Sequence, residues 1–429
     1  MTKKQNSTNS SPLRPNPRQG AEKGQQADRP RIFIATGASG GHIFPGLAIA
    51  HVLRKEGYWC TFIGSARQFS GLIKDRGFDF IPLPATAFTG GGISKKLRSI
   101  QFMGKAFLKA VKLIKRHKPV AVLGMGSYAS VSTVLAGRLL RVPTLIHEQN
   151  AKPGKANLLL ARFVPRILLS FDAARKHFPG AEKQENKYTT VGNPVRDEVL
   201  ALRGLPRPEG KYLDILAVGG SQGARILTDV IPEAISRLPK KLQERIRITQ
   251  QARPEDLSRL EEAYKGLSLG AIEIQPFFDN LPELMHRAHV VITRSGTGSV
   301  SELAVLNRAS ILVPIRLAHG HQVENAKILS RVGAAVLMEE NIFTPEALAK
   351  ELESILTREG KRTLFEKNTA LVAKPQAAEE AAAEVIRISG GEAPTVLDED
   401  DEDIDDETHL LDEEDEVNQD INHDSPKDA

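Results

Sequence analysis

Cysteine is almost missing from this 429-residue chain: Cys60 is the only one. No intrachain disulfide framework can form, and a reducing compartment is the expectation. No apolar run approaches the ~20 residues needed to span a bilayer. The N-terminus lacks the apolar core of a secretion signal. Neither standard phosphate fingerprint is present, since no G-x-G-x-x-G and no G-x-x-x-x-G-K-[ST] occurs. His147-Glu148 begins like a zinc-protease helix, but position 151 is Ala rather than a second His, which removes that reading. No D-x-D stands at a strand end in the body of the chain. Those in the C-terminal tail, such as Asp398-Glu399-Asp400, are trivial in so acidic a run. No metal site and no cofactor is expected.

What is present is a split of charge. Residues 392–429 hold 18 acids and one lysine, while residues 1–391 carry a net charge of +22. A body this basic points to an anionic partner: a nucleic acid, a phosphate-bearing substrate or an anionic membrane surface. No nucleic-acid recognition module is found. Hydrophobic content of 41% supports real cores, and the length suggests about two or three domains.

The pattern is organised around Ile32 to His51. A β-branched and aromatic run (Ile32, Phe33, Ile34) breaks into Gly37-Ala38-Ser39-Gly40-Gly41-His42, and Pro45 is expected to open a helix reaching about Glu56. Strand, glycine turn and helix start form an anion cradle, because backbone N–H groups and the positive end of the helix dipole converge there. His42 adds a titratable group beside it. The motif returns at Leu213–Val218, followed by Gly219-Gly220-Ser221-Gln222-Gly223-Ala224 and a helix through Ile235. Strands and helices alternate after each cradle. The expected class is therefore α/β, with two Rossmann-like doubly wound domains facing across a cleft. The expected divisions are a disordered tail at 1–29, a first domain at 30–199, a linker at 200–211, a second domain at 212–391 whose last helices can pack back on the first, and a disordered acidic tail at 392–429.

Polar clusters end several strands, where open α/β sheets place ligands. His147-Glu148-Gln149-Asn150 and Gly124-Met125-Gly126-Ser127-Tyr128 close two strands of the first half, and Gly192-Asn193-Pro194-Val195-Arg196 closes that half. In the second half Ser221 and its neighbouring amides can hold a diphosphate. Glu302, inside the helix opened by Ser295-Gly296-Thr297-Gly298-Ser299, suits a ribose diol. Gln322 and Asn325 share a face at a helix start and suit sugar hydroxyls. Without a cation, a leaving diphosphate must be stabilised by amides, helix dipoles and Arg196. Residues 95–117 form a basic amphipathic segment without an acid. It reads as a crossover helix with a solvated basic face, and also as a membrane-surface element. The acidic tail reads as solvated, or as a competitor of anionic lipid for the basic face.

GASGGHIFPGLAIAHVL, GMGSYAS, HEQNAKPGKAN, VGNPVR, GGSQGAR, SGTGSVSEL and HGHQVENA, in this order, resemble the MurG family, the bacterial lipid-linked N-acetylglucosaminyltransferases of peptidoglycan synthesis. The resemblance spans about Arg31 to Ser389. It implies an inverting glycosyltransferase of the two-domain B type, using UDP-N-acetylglucosamine and undecaprenyl-diphosphate-linked N-acetylmuramoyl pentapeptide at the cytoplasmic face of the inner membrane, with cell-wall and division proteins as further partners. Matched by motif, the donor side takes Ser39, Gly40, Gly41, Asn150, Arg196, Ser221, Gln222, Phe278 (through its backbone, to uracil), Thr297, Gly298, Ser299, Val300, Ser301, Gln322 and Asn325. Ser39 replaces a usual Thr and keeps the hydroxyl. Glu302 matches the ribose ligand, and His42 is the candidate general base. Tyr128 and Glu148 fall on the acceptor side. Alternatives are an enzyme with the same donor and another lipid acceptor, a UDP-N-acetylglucosamine 2-epimerase of the same fold, or a non-catalytic binding protein. The epimerase needs carboxylates around the sugar C2, which are not found.

Overall fold

The computed structural model describes residues 29–84, 93–220, 223–315 and 320–393. The expectations for residues 1–28 and for the acidic tail beyond Ala393 lie outside them. The described chain builds two sheets, all of whose strand pairs are parallel. The first uses β1 (Arg31–Thr36), β2 (Trp59–Gly64), β3 (Asp79–Pro82), β4 (Ala121–Gly124), β5 (Thr144–Glu148), β6 (Arg166–Leu169) and β7 (Tyr188–Thr190), in the order β3-β2-β1-β4-β5-β6-β7. The second uses β8 (Leu213–Val218), β9 (Ile246–Gln251), β10 (Ala271–Gln275), β11 (Val290–Thr293), β12 (Ser310–Leu312) and β13 (Ala335–Leu337), in the order β10-β9-β8-β11-β12-β13. Both are doubly wound. The order reverses between β1 and β4 and between β8 and β11, which opens a crevice at the carboxyl ends of those strands.

Central strands are apolar along their whole length because helices cover both faces. Ile32, Phe33, Ile34 and Ala35 of β1 are fully buried, as are Val290, Val291 and Ile292 of β11. The helices include α1 (Gly40–Lys55), α2 (Ile93–His117), α3 (Ser127–Leu139), α4 (Lys155–Leu160), α5 (Asp197–Leu200), α6 (Arg225–Ser236), α7 (Thr297–Val305), α8 (His321–Arg331), α9 (Glu359–Thr369) and α10 (Ala377–Ile388).

Two features differ from, or add to, the sequence pattern. Helix α1 starts at Gly40, not Pro45, with Ser39 in extended geometry at its N-cap. Proline lacks the N–H that would bond the Gly41 carbonyl, so it costs one ladder bond, yet the buried stripe from Ile43 to Leu53 keeps the helix in one piece. Gly40 to His42 therefore form its first turn, with the Gly40 and Gly41 N–H groups at the open end. Helix α10 carries an apolar stripe, Ala381, Ala382, Val385 and Ile386, that is buried in the core of the first half against α1. The chain thus crosses between the halves twice. At the crossing, Gly192 has φ +89° and no side-chain volume, and a Cβ there would lie 2.4 Å from Lys374 Cβ.

Candidate active site

The first glycine turn puts His42 at the mouth of the crevice, part-buried beside β4. Its Nδ1 is 2.5 Å from Ser39 Oγ. Its ring lies so close to Gly126 that a Cβ on that glycine would stand 3.2 Å from Cδ2 and 3.3 Å from Nε2. Gly126 also has φ +84°, so the position takes glycine on both counts. Ser127, next in line, is itself left-handed at φ +66°. Desolvation lowers the His42 pKa to about 4, which keeps the imidazole neutral near pH 7. Tyr128 stands on the first turn of α3, partly buried against the core.

At the end of β5 the polar cluster is a frame. His147 is fully buried. Its Nε2 is 3.0 Å from the Gly192 carbonyl, and its Nδ1 is 3.1 Å from Gln149 Nε2. The second contact fixes the tautomer, with Nε2–H donating and Nδ1 accepting from the amide. Burial lowers this pKa too, to about 4. Glu148 is 1% exposed and accepts four hydrogen bonds, from the Asn150 and Gly154 backbone N–H groups and from the Asn150 and Asn157 side-chain amides. These bonds draw its pKa down while desolvation raises it, and burial is the larger influence. Glu148 thus organises the loop to Gly154, and the loop presents Asn150 to the other half.

That half answers with a matched set. Asn150 Oδ1 accepts from Thr297 Oγ1 (3.0 Å) and Asn325 Nδ2 (3.2 Å). The Ala151 N–H donates to Asn325 Oδ1 at 2.8 Å. Asn325 is 1% exposed, so the two halves meet through a dry amide. Beside it Arg196 grips Glu302 with both prongs, Nε to Oε1 at 2.8 Å and Nη2 to Oε2 at 3.0 Å. Burial pushes the Glu302 pKa up and the guanidinium opposes it. Gln322 Oε1 accepts from the Ile315 N–H at 3.0 Å, pinning the end of β12 to the first turn of α8.

Asn150, Thr297 and Asn325 are thus brought together, as are Arg196 with Glu302 and Ser39 with His42. Gly298 and Ser299 lie on the first turn of α7, part-exposed beside Thr297. Val300 is 1% exposed and belongs to the core, and the Ser301 side chain is buried. Phe278 likewise turns its ring inward, whereas its neighbour Phe277 is 66% exposed. Ser221 and Gln222 lie outside the described residues. On either side of them, Gly223 N–H donates to the Gly220 carbonyl, and a Cβ on Gly219 would strike Ala224 N at 2.3 Å. Among the described residues no cluster of His, Cys, Asp or Glu could hold a metal ion.

Sequence reasoning missed two residues here. Gln251 bridges the second glycine turn to the end of β10, accepting from Gly219 N–H and donating to the Pro276 carbonyl. No motif marks the second of two glutamines at the end of β9. Gly126 was quoted only as part of a turn; its glycine–x–glycine–serine context signals the positive φ but not the contact with His42.

Residues 32–169 match the glycosyltransferase family 28 N-terminal domain, and residues 215–385 match the glycosyltransferase family 28 C-terminal domain. The chain belongs to glycosyltransferase family 28. Within that family it is 38% identical over 338 residues, 78% of its own length and 90% of the relative's, to a Methylorubrum populi protein named UDP-N-acetylglucosamine--N-acetylmuramyl-(pentapeptide) pyrophosphoryl-undecaprenol N-acetylglucosamine transferase. A Paramagnetospirillum magneticum protein of the same name is 41% identical over 336 residues, covering 77% of this chain and 89% of that one. The crystal structure of Acinetobacter baumannii MurG aligns with a TM-score of 0.68 at 26% identity, covering 83% of this chain and 99% of that one. A UDP-N-acetylglucosamine 2-epimerase from Neisseria meningitidis aligns with a TM-score of 0.61 at 12% identity, over 83% of this chain and 100% of that one, and shares with this family 28 member the fold alone.

Proposed function

We propose that this enzyme transfers N-acetylglucosamine from UDP-N-acetylglucosamine to the C4 hydroxyl of undecaprenyl-diphosphate-linked N-acetylmuramoyl pentapeptide, with inversion. The observation that carries the reading is the crevice lining itself. Asn150 from the first half meets Thr297 and Asn325 from the second, and Arg196 from the first meets Glu302 from the second, in two hydrogen-bonded sets. Relatives 38% and 41% identical to this chain bear the name of that reaction.

In this mechanism the donor lies on the second half. The open end of α7 and the second glycine turn face the diphosphate, supported by Arg196, and Glu302 receives the ribose diol. The acceptor hydroxyl attacks the anomeric carbon in line with departing UDP, which converts α to β. His42 takes the hydroxyl proton. Base action through Nε2 requires the tautomer in which Nδ1–H donates to Ser39 Oγ. A pKa near 4 leaves the ring unprotonated but weakly basic. The approaching acceptor diphosphate, a neighbouring negative charge, raises it toward working range.

The acceptor is lipid-linked, and no described helix is long and apolar enough to cross a membrane. Peripheral attachment through the first half fits this. Leu108 on α2, Leu139 at the end of α3, and Leu159 and Phe163 on and just after α4 are exposed apolar residues on successive helices in contact. Lys105, Lys112, Lys115 and Arg116 of α2 add positive charge for an anionic leaflet. Cell-wall synthesis and division proteins would then find the enzyme at the inner face of the membrane.

The test is UDP release by the purified enzyme, with and without a short-chain lipid-linked muramoyl pentapeptide and without added metal. Acceptor-dependent release is the expected result. Formation of UDP-N-acetylmannosamine in the absence of acceptor would overturn the transferase reading in favour of the epimerase. Donor binding with neither product would overturn the choice of acceptor.

A further inference from the structure

We propose that the amino-terminal edge of the second sheet, the edge opposite the crevice, is a binding site for a small oxyanion such as inorganic phosphate, held by Arg207, Arg308 and Arg362. Three segments converge there: the stretch leading into β8 carries Arg207, the turn before β12 carries Arg308, and α9 carries Arg362 and Glu366. Arg308 is only 6% exposed. Its Nη1 donates to the Asn307 carbonyl, and its Nη2 lies 3.0 Å from His286 Nδ1. His286 Nε2 in turn lies 3.0 Å from the Pro206 carbonyl, so this ring is a neutral acceptor toward Arg308 and offers it no charge.

The charge is left uncompensated. Glu366 is the carboxylate that offsets Arg308 among the described residues, and it is already ion-paired with Arg207. Arg362 reaches Glu366 only at 4.0 Å and the exposed Glu359 only at 3.7 Å. The Nε atoms of Arg308 and Arg362 are both buried without a hydrogen-bond partner. On the neighbouring strand Asp214 serves Arg247 and Arg287 together and has no capacity to spare. Folded proteins pair buried charges, because an unpaired one costs several kcal/mol. Three guanidinium groups around Glu366, with only the exposed Glu359 beside them, are a donor set that a tetrahedral oxyanion satisfies through the N–H groups not already given to Ala288, Asn307 and His286. The excess positive potential is felt nearby: it helps desolvation lower the His289 pKa to about 4, and it helps bring Arg308 down to about 10.

The side chains of Arg362, Arg207 and Glu366 are 11%, 17% and 20% exposed. Because Arg207 also donates to the Ala288 carbonyl, an anion here would clamp the stretch between the halves onto the second half.

The experiment is thermal unfolding of the full chain saturated with UDP, which fills the nucleotide's own phosphate sites. Inorganic phosphate is titrated against sodium chloride of equal ionic strength. A tenfold excess over the dissociation constant is expected to raise the midpoint by about 3 °C beyond the chloride control. Arg362→Gln, at the rim, and Arg308→Gln, inside, should each remove most of that rise while the shift caused by UDP persists. Equal effects of phosphate and chloride, or an undiminished phosphate shift in Arg362→Gln, would overturn the proposal. If Arg308→Gln does not fold, Arg362→Gln alone decides.

Discussion

Replacing Asn325 probes the contact between the halves more directly than any other change. Its Oδ1 is the acceptor for the Ala151 N–H at 2.8 Å. Its Nδ2 lies 3.2 Å from each of Asn150 Oδ1, the Ser295 carbonyl and Thr297 Oγ1, of which its two hydrogens can serve two. At 1% exposure no water replaces these bonds. Asn325→Ala leaves one buried backbone donor unpaired, at about 1–3 kcal/mol, and removes two neutral hydrogen bonds worth about 1 kcal/mol each. The Ser295 carbonyl keeps a second lone pair free, and Asn150 keeps Thr297. The expected loss is therefore about 3–5 kcal/mol. Asn325→Asp separates the two ends of the side chain. It keeps an acceptor for Ala151 but sets a second oxygen, and a buried charge, against Asn150 Oδ1 and the Ser295 carbonyl. It should be at least as damaging as Ala although it is closer in shape. The assay is calorimetric unfolding of the ligand-free enzyme, with KM for UDP-N-acetylglucosamine measured in parallel. If Asn325 served only as a sugar ligand, KM would rise while stability stayed put. Unfolding of Asn325→Ala within about 0.5 kcal/mol of the parent would refute the reasoning.

Other expectations follow from the same geometry. His42→Gln should lower kcat by roughly 10²–10⁴-fold at unchanged stability, and near-normal turnover with an unaltered pH profile would remove His42 as the base. Gly126→Ala, which meets both a positive φ and the His42 ring, should cost activity by more than tenfold even where circular dichroism shows a folded protein. His42, His147 and His289 are each held near 4, below the ordinary 6.5. The unfolded chain binds protons that the folded one refuses, so stability should fall as pH drops from about 6.5 to 4, and a flat denaturation midpoint across that window would contradict these environments. Arg196→Gln leaves Glu302 buried and unpaired and should destabilise by about 2 kcal/mol. Arg196→Gln combined with Glu302→Gln should recover most of that stability without recovering donor affinity, as a double-mutant cycle would read.

The fold was legible because buried parallel strands write themselves as short β-branched runs closed by glycine. Strands β1 and β8 fall where the pattern puts them, each leading into its glycine run. The start of α1 was not legible. Pro45 carries the strongest local helix-start signal, but burial of Ile43 and the geometry of Ser39 decide the boundary. The residue types around the crevice could be chosen from the chain; their partners could not. Asn150 and Asn325 are 175 residues apart, and Arg196 and Glu302 are 106 apart. Nothing local to either tells that they meet. The arginine cluster behind the second sheet was invisible for the same reason, since each member comes from a different segment and looks in sequence like an ordinary solvated charge.

The pairing within the crevice also constrains how the enzyme can work. Glu302 is held by a bidentate guanidinium that occupies one lone pair on each oxygen, so in the proposed donor pose a ribose diol takes the two that remain. Two neutral hydroxyls cannot balance the buried carboxylate as a cation does, so Arg196 has to stay on Glu302 while the diol binds. In that pose the donor diphosphate meets a guanidinium whose carboxylate partner is still in place, and the cation bridges the two anions. A nucleoside without phosphates makes only the first of these contacts. Selectivity for a nucleoside diphosphate then rests on the Arg196 cation between Glu302 and the diphosphate as much as on the number of contacts the diphosphate makes.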